Sequence, residues 1–168
     1  REPVMSISTI AIMSPGNMGS AVGRFLAEGG FEVVSCLAGR SDFTKERALR
    51  YGFRDAGSIE QMVAAADLVL SILDPARAED IAGAVADAMK AAGRAVVFAD
   101  CNATSPATAQ KLNAIIENAG GRFVDVGIIG GAPDRKENFP NFCTSGPYAD
   151  LLLPLDGKGV HILKVGEE

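Results

Sequence analysis

Residues 7–19 read Ile7-Ser8-Thr9-Ile10-Ala11-Ile12-Met13-Ser14-Pro15-Gly16-Asn17-Met18-Gly19, and this stretch decides the fold. An apolar, β-branched run stops at a tight Ser-Pro-Gly turn, and a helix-forming segment starts at once. Strand, turn and helix in that order open a βα unit of the mononucleotide-binding type. Backbone N–H groups at the helix N-terminus can then reach a pyrophosphate, and the positive end of the helix dipole favours the anion. The G-x-G-x-x-G fingerprint stands here as Ser14-x-Gly16-x-x-Gly19, with its first glycine replaced. Alone such a motif is a weak signal; the strand before it and the helix after it strengthen the reading. Pro15 fixes its own φ and biases the residue before it towards extended backbone. An extended Ser14 and a slightly wider turn that still admits a dinucleotide are therefore expected.

Outward from that turn, strand-like and helix-like segments alternate. Asn17–Glu28 reads as a helix ended by Gly29-Gly30, Phe31–Leu37 as a strand, and Ser41 or Asp42 as the cap of a helix reaching about Tyr51. Arg54–Ala56 is a short strand, and Ser58-x-x-Gln61 is a capping-box pattern opening a helix to Ala66. Leu68–Leu73 follows as a strand, Asp74-Pro75 starts a long Ala-rich helix ending near Gly93, and Ala95–Ala99 is the next strand. Ser105-Pro106 caps a helix to Asn118, then Phe123–Val126 is a strand. Gly130–Pro140 is a polar loop, and Asn141–Ser145 and Gly159–Val165 are strands around a short helix at Tyr148–Leu155. Strands separated by helical crossovers predict an α/β, Rossmann-type, doubly wound, mostly parallel sheet with helices on both faces.

The totals narrow the function classes. With 168 residues, 48% of them apolar, the chain suits one domain with a core that needs no disulfides. A net charge of −5 argues against partners such as nucleic acid or an anionic membrane surface. Cys36, Cys101 and Cys143 are odd in number and lie in or beside apolar runs, which reads as free thiols in a reducing, cytoplasmic setting. His161 is the single histidine and no Cys-x-x-Cys occurs, so no metal site is expected. Residues 1–5 read as a leader or tag remnant, with Met5 as the native start.

The second strand of such a unit ends where dinucleotide type is read. NAD-binding sites place a carboxylate there for the ribose 2′-hydroxyl, whereas NADP sites use Arg and hydroxyl residues for the 2′-phosphate. Here the strand ends Cys36-Leu37-Ala38-Gly39-Arg40-Ser41. No carboxylate sits at the tip, and Arg40 can form a charge-assisted pair with phosphate. NADP is the expected cofactor, ahead of NAD. Leu73-Asp74-Pro75 leaves the fourth strand at the carboxyl edge of the sheet, and by position borders the nicotinamide ribose and ring. Asp100 and Asp125 end neighbouring strands, but nothing positions them for proton transfer, and Cys101 has no histidine to activate it. His161 falls far from these motifs and reads as structural.

With those residues in place, the chain resembles the N-terminal cofactor domain of the β-hydroxyacid dehydrogenase family. Members include 3-hydroxyisobutyrate dehydrogenase, the NAD-binding half of 6-phosphogluconate dehydrogenase, and imine reductases. The resemblance covers nearly all of Ser6–Gly166. Gly16-Asn17-Met18-Gly19 matches the family's G-x-M-G, Asp100–Pro106 lines up with D-x-S-T-x-x-P, and Asp125–Gly131 with D-A-P-V-S-G-G. Taken with the residue readings above, it gives an expected cofactor-binding set of Ser14, Pro15, Gly16, Asn17, Met18, Gly19, Arg40, Ser41, Leu73, Asp74, Pro75 and Asn102. It also implies a small-molecule substrate facing Asn102, Ala103, Gly130 and Gly131, and hydride transfer to or from a hydroxy acid, aldehyde or imine.

The departures from the family pattern matter equally. Asn102 and Ala103 stand where the family has Ser and Thr, and Ile129 stands where it has Ser. Ile129 offers no side-chain donor, although the Asn102 amide still does, so the usual carboxylate contacts are changed. The resemblance implies a helical second domain, absent from this chain, that carries a general acid/base lysine and forms a homodimer. That lysine would lie beyond Glu168; Lys164 precedes its place, so no catalytic residue is expected in this chain. The other readings are a dinucleotide-sensing module without turnover, or a scaffold that has lost catalysis.

Overall fold

The computed structural model describes residues 6–166, and the leader expected at 1–5 lies outside the described residues. The elements are β1 (Thr9–Met13), α1 (Asn17–Glu28), β2 (Glu32–Ser35), α2 (Asp42–Arg50), β3 (Phe53–Asp55), α3 (Ile59–Ala65), β4 (Leu68–Ser71) and α4 (Ala78–Ala92). They continue with β5 (Val97–Asp100), α5 (Pro106–Asn118), β6 (Arg122–Ile129), β7 (Asn141–Ser145) and β8 (His161–Lys164). One sheet carries all eight strands in the order β3-β2-β1-β4-β5-β6-β7-β8. Strand pairs are parallel except β6 with β7. The order runs one way from β1 to β3 and the other way from β4, so the crevice between the carboxyl ends of β1 and β4 is the topological switch point.

The apolar runs explain the layers. All five β1 residues are buried, because helices cover both sheet faces. Ile10, Ile12, Leu68, Leu70, Val97 and Val124 pack towards Val22 and Leu26 of α1. The alternate residues Ala11, Val69, Phe98 and Phe123 pack towards α3, α4 and α5 through Met62, Val85, Met89 and Leu112. Three serines cap helices through their side chains. Ser41 accepts from Thr44 N–H at 3.2 Å, Ser58 from Gln61 N–H at 3.1 Å and Ser105 from Thr108 N–H at 3.2 Å. Each such cap contributes about 1 kcal/mol.

Several element boundaries differ from the expected ones. The long helix after β4 is split: Pro75–Arg77 forms a 3-10 turn, capped by Asp74 accepting from Ala76 N–H at 2.9 Å, before α4 begins. The short helix near Tyr148 is 3-10 as well, over Ala149–Leu155. β6 outruns its expected end at Val126, because β7 pairs with it antiparallel from Asp125 to Ile129.

A close contact fixes α1 over the edge of the sheet. A Cβ on Gly23 would lie 2.1 Å from the Phe53 ring, whereas one on Gly83 of α4 would meet nothing within 4 Å. Gly23→Ala is expected to destabilise the chain by about 1–3 kcal/mol through overpacking. Gly83→Ala should stabilise it by roughly 0.5–1 kcal/mol through helix propensity. Urea unfolding of both variants measures the contrast.

Candidate dinucleotide site

The β1–α1 turn is held from several sides. Ser14 has φ +63°, a left-handed conformation and not the extended one that the following proline favours. Two hydrogen bonds account for it. The Ser14 carbonyl accepts Gly16 N–H at 2.7 Å, closing the chain tightly around Pro15, and the Ser14 hydroxyl accepts Arg40 Nη2 at 2.9 Å. A left-handed L-residue costs roughly 1–2 kcal/mol, which these bonds offset. Arg47 Nη2 also donates to the Pro15 carbonyl at 3.0 Å.

The two remaining fingerprint glycines have different structural duties. A Cβ on Gly19 would stand 3.0 Å from both the Ile12 side chain and the Ser14 carbonyl, so α1 seats on β1 only without a side chain there. Around Gly16 the nearest atom to such a Cβ is the Ser14 carbonyl oxygen at 3.9 Å, leaving the turn open to an approaching group. Gly16 is also the N-cap of α1, with no side-chain cap and no acidic residue in the first turn. The N–H groups opening α1, in the Asn17-Met18-Gly19 stretch, therefore keep free donor capacity at the positive end of the helix.

Beside this turn lies a cavity of about 340 Å³ at the ends of β1, β2 and β4. Ser14, Gly39 and Arg40 line one part, and Ile59, Leu73 and Ile81 give it an apolar wall. Arg77, from the 3-10 turn after β4, is a second cation on its lining, which includes no carboxylate, lysine or histidine. An open glycine turn, free helix amides, an apolar wall and two guanidinium groups suit a phosphate-bearing dinucleotide.

The remaining expected residues fall in different settings. Ser41 caps α2, and its hydroxyl is engaged with Thr44. Asp74 caps the 3-10 turn with Pro75 as its first residue. Asn102 is buried, and its side chain is committed. Oδ1 accepts Leu73 N–H at 2.7 Å, while Nδ2 donates to Asp100 Oδ1 at 2.7 Å and to Ser71 Oγ at 3.2 Å. This corrects the expectation that its amide is free to donate to a substrate. The amide instead ties the end of β5 to Leu73 on the cavity wall. Ala103 is exposed, and Gly130 and Gly131 lie beyond the end of β6 and are also exposed. Ile129 is exposed too.

Asp100 and Asp125 are register partners on β5 and β6. Burial pushes the Asp100 carboxyl up to about 6, with the Asp125 charge adding to the rise and hydrogen bonds from Asn102 and Thr104 opposing it. Burial also raises Asp125. The Cys101 thiol is pushed well up by burial and by both carboxylates, which keeps it protonated and inert. His161 is exposed, 3.9 Å from Asp156, and is not among the residues lining the cavity. Among the described residues no group of three or more His, Cys, Asp or Glu side chains could hold a metal.

A model of the NAD-binding domain of 6-phosphogluconate dehydrogenase matches residues 9–150. The chain belongs to that family. An uncharacterised 28.5 kDa protein of Methanothermus fervidus is 30% identical over 159 residues, covering 95% of this chain and 59% of that protein. Among solved structures, a conserved protein of unknown function, described as structurally similar to 3-hydroxyacid dehydrogenases, superposes with TM-score 0.80 at 27% identity. That match covers 95% of this chain and 58% of the other. The 3-hydroxyisobutyrate dehydrogenase of Mycobacterium tuberculosis shares the fold with TM-score 0.79 at 23% identity, over 96% of this chain and 55% of that enzyme. The chain thus spans a little over half the length of these relatives.

Within this NAD-binding domain, the sequence motifs left four cavity residues unmarked: Ser35, Ile59, Arg77 and Ile81. Arg77 stands two residues after Asp74-Pro75 at the carboxyl edge of the sheet, and that proximity was the available signal. The Asp100 cluster yields a pH signature. A buried carboxyl with a raised pKa contributes its full stability below the unfolded value of 3.8 and loses it as pH rises through about 6. Wild type should therefore lose stability relative to Asp100→Asn between pH 4 and pH 7, on the order of 2 kcal/mol. Parallel urea melts across that range measure it.

Proposed function

We propose that this NAD-binding domain holds NADP(H) and serves as the cofactor half of an oxidoreductase acting on a small hydroxy acid, aldehyde or imine. The observation that carries the reading is the cavity at the β2 tip. It has Arg40 anchored on Ser14, Arg77 across the same space, and no carboxylate on its lining. A ribose 2′-hydroxyl calls for an acceptor there, whereas a 2′-phosphate calls for cations. Membership of a nicotinamide-dinucleotide family supports the cofactor class.

The nicotinamide ring, when bound, supplies or accepts the hydride. This chain's own residues bind and orient. The open Gly16 turn and the first N–H groups of α1 would receive the pyrophosphate, and Arg40 with Arg77 the 2′-phosphate. Ile59 and Ile81 would pack the adenine. Asn102 would hold Leu73 at the nicotinamide side, acting through the Leu73 backbone and not by touching substrate. Ala103, Gly130 and Gly131 remain the proposed substrate edge through backbone groups. The proton is assigned to a lysine of a further helical domain, which would also form the homodimer. The three cysteines are free, in keeping with a cytoplasmic setting. Among the described residues no helix is long and apolar enough to cross a membrane.

Parallel calorimetric titrations with NADPH and NADH test this. Arg40→Ala should weaken NADPH by about tenfold or more and NADH by less than about threefold. Equal losses for the two dinucleotides would remove the 2′-phosphate assignment.

A further inference from the structure

A second cavity, of about 290 Å³, lies outside the dinucleotide cleft, between α1, α2 and the segment after Gly131. Asn17, Ser20 and Arg24 of α1 line it, with Arg47 of α2, the adjoining Tyr51, and Asp134. Its chemistry is set by the two guanidinium groups.

Arg47 is poorly compensated. Its Nη2 donates to the Pro15 carbonyl at 3.0 Å, its guanidinium carbon sits 5.1 Å from the Phe43 ring centre, and its Nε is buried without a hydrogen-bond partner. No carboxylate lies within ion-pair distance of it among the described residues. Arg24 lies 5.2 Å and 5.3 Å from the ring centres of Phe25 and Tyr51, and its carboxylate neighbour is Glu28 at 3.4 Å, with both side chains about half exposed. Such a pair contributes little. Asp134 is exposed and turned to the Asn138 side chain. Two arginines therefore share one concave site with one weak ion pair between them. An under-compensated guanidinium in a cavity is favourable ground for an anion.

We infer that the α1–α2 cavity binds a phosphate-class oxyanion through Arg24 and Arg47, and that its occupancy is coupled to the β1–α1 turn through the Arg47–Pro15 hydrogen bond. Phosphate is chosen over carboxylate because two guanidinium groups lining one cavity match its higher charge and its larger number of acceptor oxygens. The anion site stands on its own geometry; only the coupling rests on the dinucleotide reading. Since Arg47 grips the turn that would receive the pyrophosphate, an anion that reorients Arg47 must alter dinucleotide affinity, and the effect must be reciprocal.

The test is calorimetric titration of the whole chain with inorganic phosphate at constant ionic strength, using Arg40→Ala so that phosphate cannot lodge at the 2′-phosphate position. The expected result is a saturable single site, weakened about tenfold by adding Arg24→Gln or Arg47→Gln. Arg24 makes no contact with the turn, so its variant guards against misfolding in the Arg47 variant. Absence of saturable binding, or binding indifferent to Arg24→Gln, overturns the site. Succinate binding as tightly as phosphate overturns the phosphate assignment. For the coupling, saturating NADPH should change phosphate affinity of the wild-type chain by at least about threefold, and no change overturns it. If NADPH fails to bind at all, the proposed function fails while the phosphate titration still decides the anion site.

Discussion

The hold on the Ser14–Gly16 turn is the constraint on which the site depends. A strand can feed a helix at the switch point only if the chain reverses within a few residues, and here it does so with a non-glycine residue in the left-handed region. The turn closes on itself through the Gly16 N–H, is pinned by Arg40 from the loop after β2, and is pinned again by Arg47 from α2. The direction in which α1 presents its uncapped amides is therefore set by residues 26 and 32 positions away in sequence. A turn already held in place loses little freedom when a ligand arrives, which lowers the ordering cost of binding. It also explains how a serine can occupy the first fingerprint position, since its hydroxyl orients a cation that a glycine would leave unanchored.

The ends of β4 and β5 are organised by a different principle. Asp100 is a buried carboxyl next to another carboxyl, an arrangement that disfavours ionisation. It is tolerable because Asn102 and Thr104 donate to it, and the same Asn102 uses its carbonyl to fix the Leu73 amide. The polar cluster works as a brace. It satisfies a backbone N–H just beyond the end of β4, where the ladder no longer supplies an acceptor.

Much of this was legible in the residues. The limits of α1 and α5 follow from local punctuation: Gly29-Gly30 after one and Ser105-Pro106 before the other. The sheet type follows from the alternation of strands and helices. The misreadings share a cause, which is that non-local contacts overrode local preference. Ser14 was biased to extended backbone by Pro15, but Gly16 and Arg40 reward the left-handed form. β6 grew because β7 came back beside it. Asn102, a natural polar ligand by type, was drawn inward by Asp100, Ser71 and Leu73. Arg77 and Arg47 stand on separate elements with no spacing that links them to the fingerprint, so only the folded chain brings them near it.

The contact of Gly23 with the Phe53 ring binds two positions 30 residues apart into one volume. Whatever side chain appears at one must be subtracted from the other. In a lineage of such chains the two positions cannot drift independently. An alanine at 23 becomes acceptable only after the aromatic at 53 has given way to something smaller, and a return to phenylalanine is then blocked until glycine is restored. Because α1 sits on that ring, such a history would leave its trace in the tilt of the helix and so in the aim of its amides. Two remote positions would thereby steer how the opening of that helix is presented.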